Sequence, residues 1–97
     1  MERMIVNSYW AQVTTVYVER NMSVITGFYN HLNKETKASK VLGIHWNNFP
    51  LSNKILSPCV IPKGARNAML SGLLHQVTVD GDEEQIVTIT NAIKFFN

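Results

Sequence analysis

Cysteine, charge and long apolar runs are all scarce in this chain, and each shortage excludes a class of protein. Cys59 is the only cysteine among the 97 residues, so neither an internal disulfide nor a four-cysteine zinc site can form. No apolar run approaches the roughly 18 residues of a membrane-spanning helix, and no signal peptide is recognisable, so we expect no membrane insertion. Charged residues make up 16% and hydrophobic residues 45%, a balance that excludes disorder and predicts one folded domain, residues 1–97.

Signatures of catalysis and of cofactor binding are also absent from the sequence. The five glycines are scattered, so no glycine-rich loop is available to hold a phosphate. No serine has the neighbours of a hydrolase nucleophile, and Cys59 lies in an apolar stretch, SPCVI, where we expect a buried, inert thiol. His31, His45 and His75 lack the close pairing that a zinc site requires. We therefore expect a protein that is not an enzyme and that holds neither a cofactor nor a metal ion.

The charges that are present are unevenly distributed along the chain. Residues 34–66 contain six basic residues and one acidic residue, whereas residues 80–97 contain four acidic residues and one lysine. This asymmetry favours attraction between the two segments, within one copy or between copies. The basic segment contains Trp46 and Phe49, a combination that suits single-stranded nucleic acid. Its excess charge is modest, however, and the acidic segment repels phosphate, so we expect nucleic acid not to be a partner.

The first informative stretch, residues 10–29, predicts a pair of strands. Residues 13–18, VTTVYV, are all β-branched or aromatic, and such side chains suit a pleated sheet better than a helix. A turn at residues 19–22 would join the strands, with Asn21 in the positive-φ conformation that asparagine tolerates. A helix is the alternative interpretation, because several apolar side chains of this stretch fall near one helical face.

The rest of the chain also predicts strands. Residues 41–46 form a short apolar run, and residues 54–61, KILSPCVI, suit an edge or bulged strand because Pro58 cannot donate a hydrogen bond. Residues 73–79 and 85–89 flank Asp80-Gly81, a dipeptide typical of hairpin turns, and the tail 91–97 suggests a last strand. About six or seven short strands predict a mainly β fold, a small antiparallel β-barrel or jelly-roll-like sandwich. The alternative is an α+β fold with a long N-terminal helix on an antiparallel sheet.

Residues 45–48, His-Trp-Asn-Asn, are the best candidate for a binding site. An indole offers a flat apolar surface to the C–H side of a sugar ring, while an imidazole and two amides can hydrogen-bond its hydroxyl groups. His45, Trp46, Asn47 and Asn48 supply these groups where a strand is predicted to end. The alternative is a structural role, in which Trp46 fills the core beside a turn. A second polar stretch, DGDEE at 80–84, lacks the ligand spacing of an EF-hand loop and suits a solvated hairpin turn.

The order of these segments resembles the C-terminal head domain of receptor-binding proteins at siphophage tail tips and baseplates. In that family a strand pair with a polar turn comes first, as in residues 16–27, VYVERNMSVITG. A leucine-glycine strand, a proline-containing turn and an apolar strand follow, as in residues 41–61. A glycine-led strand, an Asp-Gly or Asn-Gly hairpin and a last strand complete the pattern, as in residues 72–89.

The resemblance implies a compact β head, usually trimeric and without catalysis, that binds a host cell-wall saccharide from the phage tail of the virion. It makes Trp46 the stacking surface, with His45, Asn47 and Asn48 as hydrogen-bond partners. Weaker candidates come from the second predicted hairpin: His75, Asp80 and Asp82. The alternative function belongs to a different class: a small protein-interaction module, such as an inhibitor, an immunity protein or an accessory virion protein.

Overall fold

The computed structural model of the protein describes residues 9–30, 38–47, 49–52 and 55–97. Within this part of the chain, strands come first and two helices follow. The strands are β1 (Trp10–Glu19), β2 (Met22–Tyr29), β3 (Ser39–Trp46), β4 (Leu51–Ser52), β5 (Ile55–Leu56) and β6 (Cys59–Ile61). The helices are α1 (Lys63–Asp80) and α2 (Glu83–Phe95).

The described strands form an open antiparallel sheet in the order β1-β2-β3-β6, while β4 and β5 pair in a separate ribbon. The two helices pack on one face of the four-stranded sheet. The predicted barrel or jelly-roll sandwich of six or seven strands is therefore wrong. The alternative with a long N-terminal helix is wrong about that helix, because residues 10–29 are strands and both helices follow the sheet.

The predicted N-terminal strand pair is confirmed. β1 and β2 pair from Trp10 opposite Tyr29 to Glu19 opposite Met22, and a two-residue turn joins them. The positive φ of this turn lies at Arg20 (55°) and not, as predicted, at Asn21. Two register shifts, between residues 11 and 14 and between residues 15 and 17, each add a residue to β1. Such bulges bend a strand and turn it away from a regular neighbour.

Residues 63–80 and 83–95 are helical because their apolar side chains recur every three or four residues. The helical residues that pack into the core share this spacing: Met69, Leu70, Leu73, Leu74 and Val77 on α1, and Ile86, Ile89, Ala92 and Ile93 on α2. The threonines are accommodated because Thr78 and Thr88 donate their hydroxyl hydrogens to carbonyls four residues earlier, at 2.7 and 3.1 Å. The predicted hairpin over residues 73–89 and the predicted terminal strand over 91–97 are therefore wrong.

The dipeptide Asp80-Gly81 joins two helices rather than two strands. Gly81 adopts the left-handed conformation (φ 72°), and the N–H groups of Gly81 and Asp82 donate to the carbonyls of Thr78 and Val77. Asp82 then caps α2, because its carboxylate accepts a hydrogen bond from the Gln85 N–H at 3.1 Å. The same residue types that favour a hairpin turn thus end one helix and begin the next.

The two helices differ in how their ends are stabilised. α2 begins at the Asp82 cap and has acidic residues in its first turn and Lys94 in its last, as the helix dipole favours. α1 begins after Pro62 without a side-chain cap. Lys63 and Arg66 lie in its first four residues and Asp80 is its last residue, the reverse of the favourable arrangement.

The main core lies between the helices and the sheet. Its buried members come from both layers: Val16, Val24, Leu42, Leu70, Val77, Ile89 and Ala92. Two cations lie over aromatic rings at the C-terminal end of α2, Lys40 Nζ 5.2 Å from the ring centre of Phe95 and Arg66 Cζ 4.0 Å from that of Phe96. These contacts connect the end of α2 to β3 and to α1.

The opposite face of the sheet is packed by Trp10, whose indole crosses two glycines. A Cβ atom on Gly43 would lie 2.5 Å from Trp10 Cη2, and one on Gly27 would lie 3.0 Å from Trp10 Cε3. Trp10 therefore occupies the space that a side chain at Gly27 or Gly43 would need.

Pro58 divides the segment that was predicted as one strand over residues 54–61. The structure has two short strands there, β5 and β6, which belong to different sheets. Cys59 begins β6 and is exposed, so the prediction of a buried thiol is wrong. The reason is that β6 is an edge strand of the four-stranded sheet, where neighbours cover a side chain less completely.

Candidate functional site at the end of strand β3

The chain leaves β3 through a tight turn between Trp46 and Phe49. The two residues exchange backbone hydrogen bonds: the Trp46 N–H donates to the Phe49 carbonyl at 2.7 Å, and the Phe49 N–H donates to the Trp46 carbonyl at 2.9 Å. Asn47 adopts a positive φ of 50°, which asparagine tolerates better than most residues. Its N–H donates to the Asn21 carbonyl at 2.9 Å, which ties this turn to the β1–β2 turn. Asn47 thus has a structural role through its backbone.

His45 and Trp46 point to opposite faces of the sheet. Successive side chains alternate along a strand, and Trp46 lies opposite Met22 while His45 lies opposite Ser23. Met22 packs against the core beneath the helices, so Trp46 stands on the helical side. His45 Nδ1 lies 3.1 Å from the Asn47 carbonyl, which requires a hydrogen on Nδ1 and folds the ring back on its own turn. The structure therefore does not bring the indole and the imidazole to one side.

Three exposed apolar residues lie at this turn or directly after it. Trp46 is 46% exposed, Phe49 64% and Leu51 44%. Trp46 and Phe49 lie opposite each other in an antiparallel bridge, which places their side chains on the same side of the ribbon. Leu51 follows two residues later, at the start of β4. We call Trp46, Phe49 and Leu51 the apolar turn surface; the tryptophan buried in the fold is Trp10.

The weaker predicted candidates lie on the helical layer. His75 and Asp80 are exposed on α1, and Asp82 is exposed in the turn between the helices. The Asp80 carboxylate accepts from Gln76 Nε2, at 3.1 and 3.2 Å, while Asp82 caps α2. These side chains belong to helical elements rather than to a hairpin beside Trp46. Asn48 and His31 lie outside the described residues.

One tyrosine of the sheet, Tyr17, has a raised pKa, mainly because of its hydrogen bond to Glu19. The Tyr17 hydroxyl donates to Glu19 Oε1 at 2.9 Å. This hydrogen bond, partial burial and the negative charges of Glu19 and Asp80 together raise the pKa of Tyr17. Asp80 therefore stands close enough to β1 for its charge to act on Tyr17, although the two belong to different layers.

The described residues contain no cluster of metal ligands and no helix that could span a membrane. Among them, no group of three or more His, Cys, Asp or Glu side chains is arranged to hold a metal ion. Neither α1 nor α2 has the length and apolar character that crossing a membrane requires. The apolar turn surface offers one indole, one phenyl ring and one aliphatic side chain on a backbone that hydrogen bonds hold in place.

Sequence reasoning singled out Trp46 but gave Phe49 and Leu51 no place in this site. The signal that identifies Phe49 is the Asn-Asn pair itself. In a two-residue hairpin loop the flanking residues are cross-strand partners, and here those residues are 46 and 49.

Comparison with known protein families, with curated proteins and with solved structures finds no match to this chain. The function is therefore inferred from the geometry of the described residues.

Proposed function

We propose that this protein is a non-catalytic binding module that contacts a partner protein through the apolar turn surface. The observation that carries the proposal is the exposure of Trp46, Phe49 and Leu51 within six residues of one turn. Single exposed apolar side chains are ordinary, but clustered ones are typical of interaction sites. Tryptophan is also enriched among the few residues that dominate the binding energy of protein interfaces.

The backbone of the turn supports the same proposal. Trp46 and Phe49 are held by their mutual hydrogen bonds, and Asn47 is held by its bond to Asn21. A surface that is already ordered loses little conformational entropy when a partner binds, so more of the contact energy remains as affinity.

Trp46→Ala tests this proposal. The hydrogen bonds of Trp46 in the turn are made by its backbone, so we expect the variant to keep the circular dichroism spectrum and cooperative unfolding of the wild type. Val79→Ala is the matched control, because Val79 is an exposed apolar residue of α1 that is not part of the apolar turn surface. In affinity capture from extracts of the source cells, a partner should bind the wild type and Val79→Ala but not Trp46→Ala. If the wild type, Val79→Ala and Trp46→Ala all captured the same proteins, the proposal would be contradicted.

Saccharide binding is the second candidate function, favoured by the half-exposed indole of Trp46 beside the exposed side chain of Asn47. It is the function that the resemblance to phage receptor-binding heads implies, with a trimer at the tail tip that provides avidity. The first segment of that resemblance is the expected strand pair, whereas residues 72–89 belong to α1, α2 and the turn between them. Because His45 points to the opposite face of the sheet from Trp46, the polar side chains left beside the indole in the sequence are the amides of Asn47 and Asn48.

Asn47→Gly distinguishes the two candidates. Glycine accepts the positive φ of this position, so the turn is kept while the amide is removed. Binding to a panel of cell-wall glycans should require both Trp46 and the Asn47 amide if the ligand is a saccharide. Binding to a partner protein through the apolar turn surface should require Trp46 and tolerate Asn47→Gly.

A further inference from the structure

One edge of β1 has no neighbouring strand among the described residues. Within the described part of the chain, β1 pairs with β2 on one side and no strand pairs with the other. Edge strands in monomeric proteins are usually protected by charged residues, prolines or bulges. β1 has bulges but no proline, and Glu19 at its end is its only charged residue. Protection by charge and by proline is therefore largely missing from the outer edge of β1, and the bulges are the protection that remains.

A cleft opens beside this edge, between β1, β2 and α2. Its volume is about 340 Å³, and it is lined by Thr14, Val16, Thr26, Thr88, Asn91, Ala92 and Phe95. Three hydroxyl groups and one amide lie among apolar side chains, and no ionisable group lines the cleft. Thr14 and Asn91 are exposed at its opening, and Val87, one helical turn before Asn91, is 59% exposed. Such a lining suits an uncharged side chain that is apolar or carries a hydroxyl group.

The bulges connect the edge to the cleft. The extra residue between Thr15 and Tyr17 is Val16, which is buried in the core and also lines the cleft. Side chains of an added strand would alternate between the two faces of the sheet, so every second one would point toward the face that α2 covers. The cleft lies on that face, next to the position that an added strand would occupy.

We propose that the outer edge of β1 is a docking site for an extended peptide segment of a partner protein, which adds a fifth strand to the sheet and places an uncharged side chain in the cleft. Main-chain hydrogen bonds supply affinity in this mode of recognition, and a pocket for alternate side chains supplies selectivity. This surface is formed by β1, β2 and α2 and shares no residue with the apolar turn surface.

A peptide fits this edge better than a second copy of the chain. A symmetric pair of β1 strands would bring the two bulges of one copy against the two bulges of the other, and each bulge interrupts the ladder. A flexible segment can shift its register around the bulges of β1. A peptide from a partner can also carry a side chain that fits the cleft, whereas a second copy can present only the side chains of β1.

The experiment is a selection from a displayed library of random peptides about as long as β1, which has 10 residues, with immobilised wild-type protein. We expect enriched peptides to alternate β-branched or aromatic residues and to lack charge at the position that enters the cleft. The best peptide is then synthesised, and its Kd is measured for the wild type and for variants. We expect binding of the peptide to slow amide hydrogen exchange in residues 10–19 of the wild-type protein. This measurement tests the site of binding without any substitution.

Thr88→Phe should fill the cleft and weaken the selected peptide by at least about tenfold. Thr78→Phe is the matched control, because Thr78 makes the same hydroxyl-to-carbonyl bond on α1 but is exposed and does not line the cleft. Thr78→Phe and Trp46→Ala should each change the Kd of the selected peptide by less than about twofold. If Trp46→Ala abolishes peptide binding, the peptide occupies the apolar turn surface and the edge proposal is wrong, while the proposed function stands.

Three further results would overturn the edge proposal. The first is a library that yields no peptide enriched above a blank support. The second is peptide binding that leaves hydrogen exchange of β1 unchanged or that survives Thr88→Phe in a folded protein. The third is a dimer of the wild type that Thr88→Phe dissociates, since the occupant of the edge would then be a second copy.

Discussion

Gly43→Ala should destabilise the protein strongly, because Trp10 occupies the space that a side chain at this position would need. The new Cβ would lie 2.5 and 2.9 Å from Trp10 Cη2 and Cζ2, and 3.1 Å from the Cys59 carbonyl oxygen. The indole is 5% exposed and Gly43 sits in an interior strand, so neither neighbour can move freely. Adding a methyl group to a packed core costs about 1–3 kcal/mol, and we place Gly43→Ala at the upper end of that range.

Substitutions at two other glycines provide free energies of unfolding with which Gly43→Ala can be compared. Gly27→Ala would place its Cβ 3.0 Å from Trp10 Cε3 and 3.1 Å from the Ala11 carbonyl oxygen, so we expect a loss of about 1 kcal/mol. Gly72→Ala on α1 meets no atom within 4 Å and should stabilise the protein by about 0.5–1 kcal/mol. The free energies of unfolding are measured by urea titration of the helical circular dichroism signal, with an unchanged m-value required for the comparison.

A double-mutant cycle with Trp10→Phe tests whether the indole causes the loss. The buried Nε1 of Trp10 donates to no described residue, so Trp10→Phe removes an unpaired donor as well as ring contacts. Phenylalanine lacks the ring atoms that the new Cβ would meet first, and Gly43→Ala should cost at least about 1 kcal/mol less in that background. Equal costs in both backgrounds, or a loss at Gly43 no larger than at Gly27, would refute the packing described for this face.

Four further predictions concern other parts of the molecule. Asp82→Ala removes the cap of α2 and should lower the free energy of unfolding by about 0.5–2 kcal/mol in urea titrations, while Asp82→Asn should retain most of it. Glu19→Gln should lower the raised pKa of Tyr17 in ultraviolet titrations. The tyrosine stabilises the wild type fully below its ordinary pKa, and this contribution is lost as pH rises through the raised value. A Tyr17 pKa that Glu19→Gln leaves unchanged would contradict the contact with the Glu19 carboxylate. The exposed thiol of Cys59 should react with a thiol reagent in the folded protein, and protection until unfolding would contradict its placement. Light scattering should give a concentration-independent trimer mass if the protein is an adhesin head, and a monomer would remove that expectation.

The N-terminal half of the fold was predictable because local preference and tertiary structure agree there. Residues 13–18 are uniformly β-branched or aromatic, and they form a strand. The C-terminal half was not predictable in this way. Its threonines and valines favour strands locally, whereas its apolar residues recur at the spacing of a helix. Thr78 and Thr88 adapt to the helix by bonding carbonyls one turn earlier, which a reading by residue type alone does not anticipate. Asp80-Gly81 added to the error, since its left-handed glycine serves a helix end as well as a hairpin.

The candidate site shows the same division between residue type and geometry. The sequence identifies an indole, an imidazole and two amides as neighbours, but strand alternation separates His45 from Trp46. The conformation of Asn47 is explained by a turn that residue preferences do predict, whereas the exposure of Leu51 depends on where the β4–β5 ribbon lies. The cleft beside β1 had no sequence signal, because it requires α2 to lie against a strand that is distant in the chain.

The reversed charges of α1 have a consequence for the order in which the chain folds. Lys63, Arg66 and Asp80 each oppose the dipole of a helix whose N-terminus lacks a side-chain cap, so this segment has little tendency to nucleate alone. α2 has a cap and matching charges at both ends, and it can begin to form from local interactions. We expect α1 to become helical only when the sheet is present to receive its apolar face, and substitutions along it to change the unfolding rate more than the folding rate. The helix that is synthesised first would then be the later one to form.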